Sequence, residues 1–154
     1  MSFSIKAEGP RQAEVLALLD QSDAMMASLY PDESNHMMDA TGLEAPGVSF
    51  FVARRDGVVV GCGAWVRTGA HEAELKRMYV APEARGFKVG RRLLEFIEAD
   101  AAAASVRTLR LETGVRQPEA LDLYRTAGYA ERGPFGAYVE DPLSVFMEKE
   151  LEPS

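Results

Sequence analysis

Arg85 to Gly90 reads RGFKVG, two glycines and two cations within six residues, set between a strand-like run and a helix-like run. Before it, Glu74 to Val80 alternates with a period of two, which places Leu75, Arg77 and Tyr79 on one side and Glu74, Lys76, Met78 and Val80 on the other. Pro82 ends that strand. After the turn, Val89, Leu93, Leu94, Phe96 and Ile97 recur at helical spacing as one apolar stripe, leaving Arg91, Arg92, Glu95 and Glu98 for solvent. A helix that starts in such a turn has first-turn amides without intrahelical acceptors, and its dipole is positive there. The chemistry this allows is capture of an anion such as a pyrophosphate by Arg85, Gly86, Phe87, Lys88, Val89 and Gly90, with Arg91 beside them.

The rest of the chain supplies elements to position that turn. Phe3 to Ala7 reads as a short first strand, and Pro10 suits the opening turn of a helix whose apolar positions Val15, Leu16, Leu18, Leu19 and Met26 carry it to about Tyr30. Pro31 to Gly47 mixes cap residues with Met37 and Met38 and reads as a loop holding at most a short helix. Ser49 to Arg54 and Val58 to Arg67 are β-rich runs joined at Asp56-Gly57, a hairpin signal, and Glu72 to Val80 continues the meander. Beyond the central helix come a strand near Arg107 to Glu112, a helix from about Pro118 to Thr126, a strand around Tyr129 to Arg132 and a last strand from Leu143 to Leu151. The Ala101 to Ala104 run is good helix former. The pattern is that of an α+β fold, a mixed sheet with helices on its faces.

Composition bounds the function. The 154 residues suit a single domain, residues 1–154, able to bury roughly 70% of the surface its unfolded chain would expose. A net charge of −7 argues against nucleic acid, which demands a dominant basic face. Within that acidic background Lys76, Arg77, Arg85, Lys88, Arg91 and Arg92 outnumber Glu74 and Glu83, a local patch suited to a small polyanion. Cys62 is the single cysteine, so no intramolecular disulfide forms, and with two histidines no zinc site is expected. It reads as a small buried residue. The N-terminal residues lack a signal-peptide pattern and no apolar run spans a bilayer, so a cytoplasmic protein without membrane contact is expected. Sheet edges or the C-terminal strand offer a route to a homodimer.

The strand, Arg-Gly-x-x-x-Gly turn and helix of Glu74 to Ala104, ELKRMYVAPEARGFKVGRRLLEFIEADAAAA, resemble the acetyl-CoA-binding motif of the GNAT superfamily of N-acetyltransferases. Leu109 to Tyr129, LRLETGVRQPEALDLYRTAGY, is similar to that family's next strand, its helix with an inward Tyr, and the Tyr-x-x-x-Gly-aromatic ending. Together the two blocks cover roughly residues 72 to 130. The usual turn is Arg-x-x-Gly-x-Gly, and here Lys88 stands where the middle glycine is common. A lysine there adds positive charge, and in helical φ/ψ no glycine is required.

The resemblance implies a mostly antiparallel sheet whose two central strands, Glu74 to Val80 and Arg107 to Thr113, splay apart to admit the pantetheine arm of acetyl-CoA. The arm pairs with backbone at Met78, Tyr79 and Val80, and Gly114 leaves it room. Tyr124 matches the tyrosine that protonates the departing thiolate. A tyrosine of ordinary pKa, about 10, is protonated at neutral pH and able to donate. Gln117, seven residues earlier, stands where an Asn is frequent and touches the cofactor.

Acetyl transfer to an amine also needs a base. Glu74 and Glu72 share a strand face at a spacing of two, and either can take the proton directly or through water. Glu112 on the neighbouring strand is a third candidate, and His36 an alternative with a pKa suited to neutral pH. The acceptor pocket is expected from Tyr30 to Asp39 and Gly133 to Pro142, with Tyr30, Asp32, Glu33, Asp39, Phe135, Tyr138, Glu140 and Asp141; such carboxylates favour a cationic amine. The leading expectation is an acetyl-CoA-dependent N-acetyltransferase working on a primary amine by direct attack, since Cys62 has no partner to activate it. The alternative is an acyl-CoA-binding regulatory module that has lost transfer. A dehydrogenase or P-loop fold lacks both its glycine spacing and its Gly-Lys-Ser/Thr ending here.

Overall fold

In the computed structural model, which describes residues 2–34 (without the Glu33 side chain), 38–86 and 88–153, the hairpin at Asp56-Gly57 joins two neighbouring strands near the start of the sheet. Both turn residues have positive φ, 52° and 83°, the twist that suits a two-residue connection between right-twisted strands. They join β2 (Val48–Arg55) to β3 (Val58–Arg67) with Arg55 opposite Val58. β1 (Phe3–Ala7) pairs antiparallel with the outer side of β2, and β4 (Glu72–Val80) pairs antiparallel with β3. β5 (Thr108–Gly114), β6 (Ala130–Arg132) and β7 (Ser144–Glu150) complete one sheet. Among the described residues its order is β1-β2-β3-β4-β5-β7-β6, and the parallel pair is β4–β5. β7 is therefore held on both sides, between β5 and β6, and the edges are β1 and β6 rather than the C-terminal strand.

Helices cover both faces. α3 (Val89–Ala103) and α4 (Pro118–Thr126) pack on one, with Leu93, Leu94, Ile97, Leu109 and Leu111 essentially inaccessible in a continuous core. Burying each such aliphatic side chain contributes about 1.5–3 kcal/mol. α3 lies so close to β3 that a Cβ at Gly61 would sit 2.9 Å from Leu93 Cδ1. α1 (Ala13–Leu29) and α2 (Ala40–Leu43) cover the other face over Phe50, Val52, Cys62 and Ala64.

Three expectations are corrected here. α1 begins at Ala13 after the extended Gln12, so Pro10 precedes the helix rather than opening it. Its core stripe is Val15, Leu18, Leu19 and Ser22, with Leu16 on the outer face at 37% exposure. Phe96 of α3 is likewise 38% exposed, resting edge-on against Phe51 at the margin of the sheet instead of within the stripe.

Candidate active site

β4 and β5 stay paired for three residues, from Glu72 opposite Thr108 to Glu74 opposite Arg110, and then separate. β4 runs on to Val80 and β5 to Gly114, so the sheet opens into a V at its centre. The expected alternation along β4 fails at the mouth of this V. Between Lys76 and Tyr79 the strand spends three steps where β3 spends two, and Arg77 takes φ of +58°. Leu75 consequently packs with the α3 core, while Tyr79 packs with the α1 core and Met78 and Val80 turn to the α3 side. The bulge is held from α1: Arg77, with its side chain 3% exposed, donates to Asp23 Oδ1 at 2.6 Å and to the Leu19 carbonyl at 3.3 Å.

On one side of the V lies a groove built around the N-terminus of α3. Pro82–Ala84 form a 3-10 turn, Arg85 N donates to Pro82 O at 3.3 Å, and Gly86 has φ of +94°. Lys88 is the N-cap, with φ of +58° and no side-chain cap, so the helical geometry expected for it is overturned: the left-handed conformation here is one that glycine adopts without strain. Arg92 N makes the first helical bond, to Lys88 O, and the amides of Val89, Gly90 and Arg91 precede it. An anionic group fits this uncapped turn. The groove is lined by Met78, Tyr79, Val80, Arg85, Gly86, Lys88, Val89, Gly90 and Arg91, and it reaches Gln117 and Tyr124 on α4. These are the expected cofactor-contacting residues, gathered along one surface, except Phe87, which lies outside the described residues. Arg85 leans over the Tyr79 ring at 6.0 Å and faces Glu119 at 3.9 Å.

Inside the V is a second cavity, walled by Leu75 to Tyr79 of β4 and Leu111 to Gly114 of β5. Gln117 and Tyr124 line this cavity as well as the groove, so the two spaces meet at them. Tyr124 is 6% exposed and stands edge-on to Tyr129, and burial raises its pKa well above the ordinary tyrosine value. Its hydroxyl makes no hydrogen bond among the described residues. Gln117 Oε1 accepts from Tyr30 Oη at 3.2 Å, and Tyr30 Oη accepts from Arg116 N at 3.0 Å, tying the end of α1 to the start of α4 across the V. This tie explains Gly114. A Cβ there would meet Tyr30 Oη at 1.9 Å, so the glycine makes room for a tyrosine.

Glu74 lines the inner cavity and also an outer pocket between β4, β5 and the Phe135–Val139 loop. Its Oε2 accepts from Tyr138 Oη at 2.5 Å and lies 3.2 Å from Lys76 Nζ, which donates to the same Tyr138 Oη at 2.5 Å. Burial, followed by the bond to Glu74, raises the Tyr138 pKa. Glu72 shares the Glu74 face but belongs to the outer pocket, where Arg110 holds it at 3.0 Å. Glu112 lines the inner cavity and accepts from Ser144 Oγ at 2.7 Å. The two expected acceptor loops do meet: Ser34 Oγ donates to Asp141 Oδ2 at 2.6 Å. Asp39 instead caps α2, accepting from Gly42 N at 2.8 Å. His36 and the Glu33 side chain lie outside the described residues.

The groove and the cavity that meet at Tyr124 lie in a chain whose residues 46–131 match the acetyltransferase (GNAT) domain. The chain belongs to the GNAT acetyltransferase family. This acetyltransferase is 52% identical over 151 residues to the IAA acetyltransferase of Azospirillum brasilense, covering 97% of this chain and 99% of that one. A crystal structure from Klebsiella pneumoniae described as an acyl-CoA N-acyltransferase is 39% identical, covers 97% of this chain and 98% of its own, and superposes with a TM-score of 0.83. The fold is also that of the PaiA N-acetyltransferase of Thermoplasma acidophilum in complex with coenzyme A, at TM-score 0.76, 20% identity and coverage of 97% and 99%. The enzyme reading therefore holds over the regulatory-module alternative. Arg116 and the Tyr30 tie of the GNAT domain escaped the sequence, since the partners lie 86 residues apart. Lys76 registered there as patch charge, with nothing local to announce its place beside Glu74.

Proposed function

We propose that this acetyltransferase moves the acetyl group of acetyl-CoA to a primary amine by direct attack, within one catalytic unit spanning residues 1–154. The observation that carries the reading is Tyr124, shared by the α3 groove and the cavity between the splayed strands. The amides of Val89, Gly90 and Arg91, with Arg85 and Lys88 nearby, hold the diphosphate. Met78, Tyr79 and Val80 present backbone to the pantetheine arm, and Gln117 flanks it. Acetyl-CoA supplies an activated acyl group, and the chain supplies geometry and protons. Tyr124 stays protonated through the neutral range because burial disfavours its phenolate, so it donates as the thiolate departs. Glu74 takes the proton of the incoming amine, directly or through water. Glu72 is the weaker candidate because it lines the outer pocket and not the cavity that Tyr124 shares with Glu74. The acceptor enters past Tyr138, where Glu74 favours a cation. The lone buried Cys62 suits a reducing cytoplasm.

Calorimetry with acetyl-CoA, followed by thiol release over a panel of small amines and IAA, tests the reading. Tyr124→Phe and Glu74→Gln should keep the cofactor affinity and lose turnover. Turnover unchanged in both variants removes these roles, and release with IAA alone replaces the amine class.

A further inference from the structure

The acceptor cavity of this enzyme already contains an amine. Lys76 Nζ is 3.2 Å from Glu74 Oε2, the group assigned above as base, and its side chain is 17% exposed inside the cavity that Tyr124 lines. Its ammonium also stands 5.2 Å from the centre of the Tyr138 ring and bonds to that residue's hydroxyl. Carboxylate, hydroxyl and aromatic face are what a cationic acceptor needs, and the chain fills them with its own side chain. Lys76 and Tyr124 line the same cavity, so the amine and the proposed acid share one space.

We propose that Lys76 is an intramolecular acetyl acceptor: when no other amine is bound, the enzyme acetylates its own Lys76. This rests on the assignment of the V-shaped cavity as the acceptor site. Glu74 takes a proton from the Lys76 ammonium, and the Nζ lone pair forms a bond to the thioester carbonyl carbon. The carbon–sulfur bond breaks, the CoA thiolate leaves with the Tyr124 proton, and the second proton lost from Nζ passes through water to restore Tyr124. Acetyl-CoA is consumed, CoA is released, and Lys76 carries a neutral amide. The loss of charge removes the ion pair to Glu74 and leaves an acetamide in the cavity, so self-acetylation shuts the site to other acceptors.

The chain has four lysines, which makes the test direct. Lys6 and Lys88 are exposed, whereas Lys149 is bonded to Glu98 at 3.1 Å. The protein is incubated with acetyl-CoA alone at several protein concentrations, digested, and mapped by mass spectrometry. Enzyme-directed transfer marks Lys76 ahead of the exposed Lys6 and Lys88, at a rate per molecule independent of protein concentration. Glu74→Gln slows it about a hundredfold, the loss expected of a general base. Modification that follows exposure, with Lys6 and Lys88 leading, overturns the proposal, as does a rate that rises with protein concentration. If Tyr124→Phe slows turnover of an added amine while wild-type Lys76 stays unmodified, this proposal fails and the acceptor site stands. If amine turnover is also indifferent to Tyr124→Phe, both fall together.

Discussion

At Tyr124, the residue proposed as the acid, burial decides how firmly the phenol holds its proton. Its side chain sits against Tyr129, whose hydroxyl is bonded to Glu98 at 2.8 Å, and exclusion of water raises its pKa. The shift moves any loss of its proton further from neutrality, so rate should not fall on the alkaline side of pH 7 through this group until well above the ordinary tyrosine pKa of about 10. Tyr124→Phe should lower kcat by about 10²–10⁴-fold with the acetyl-CoA Kd unchanged, as steady-state kinetics with calorimetry will report. Cys62 illustrates the same effect without function: burial pushes its thiol up to about 12, and its Sγ is 3.3 Å from the Arg77 carbonyl. A disulfide reagent at neutral pH should modify it only after unfolding. Gly114→Ala would drive a methyl into the Tyr30 hydroxyl, 1.9 Å away, at a cost of about 1–3 kcal/mol. Denaturant titration will measure that loss, and an unchanged midpoint would refute the account of the tie.

At the scale of elements, the enzyme depends on two interruptions of regular structure, the Arg77 bulge and the left-handed Lys88. A non-glycine residue in that conformation costs roughly 1–2 kcal/mol. Lys88→Gly should raise thermal stability by a few degrees while weakening CoA binding at low salt, because strain and cation leave together. Neither interruption was legible in the sequence. The bulge is held by Asp23 and the Leu19 carbonyl on α1, more than fifty residues away, and Arg77 carries no local signature of positive φ. The elements themselves were legible where the cause is local: Asp56-Gly57 set a hairpin, and Pro118 opened α4 where expected. The α3 groove followed from glycine and charge placed before an apolar stripe. Leu16 and Phe96 were misplaced for the opposite reason, since the outer edge of a helix stripe is decided by where its neighbours end.

Across the whole molecule, the closed half of the sheet is laced by charge. Arg110 bonds Glu72 on β4 and Glu148 on β7, and Glu148 also accepts from Arg132 on β6. The Arg110 guanidinium, ahead of Arg132 and against burial, holds the Glu148 carboxyl below its ordinary 4.5, as Arg54 does for Glu8. Both folded pKa values are depressed, so their stabilisation is present above about pH 4.5 and is lost as pH falls below it. Thermal midpoints from pH 6 to pH 3 should therefore drop for the native chain and drop less for Glu148→Gln. That half of the sheet stays shut while the other half opens at the V, and the central claim is that CoA enters the opening from the α3 side with its sulfur at Tyr124. A crystal structure of the CoA complex tests this most directly. The account predicts the diphosphate on the amides of Val89, Gly90 and Arg91 and the sulfur within about 4 Å of the Tyr124 hydroxyl; a diphosphate bound elsewhere, or a sulfur directed to solvent, would contradict it.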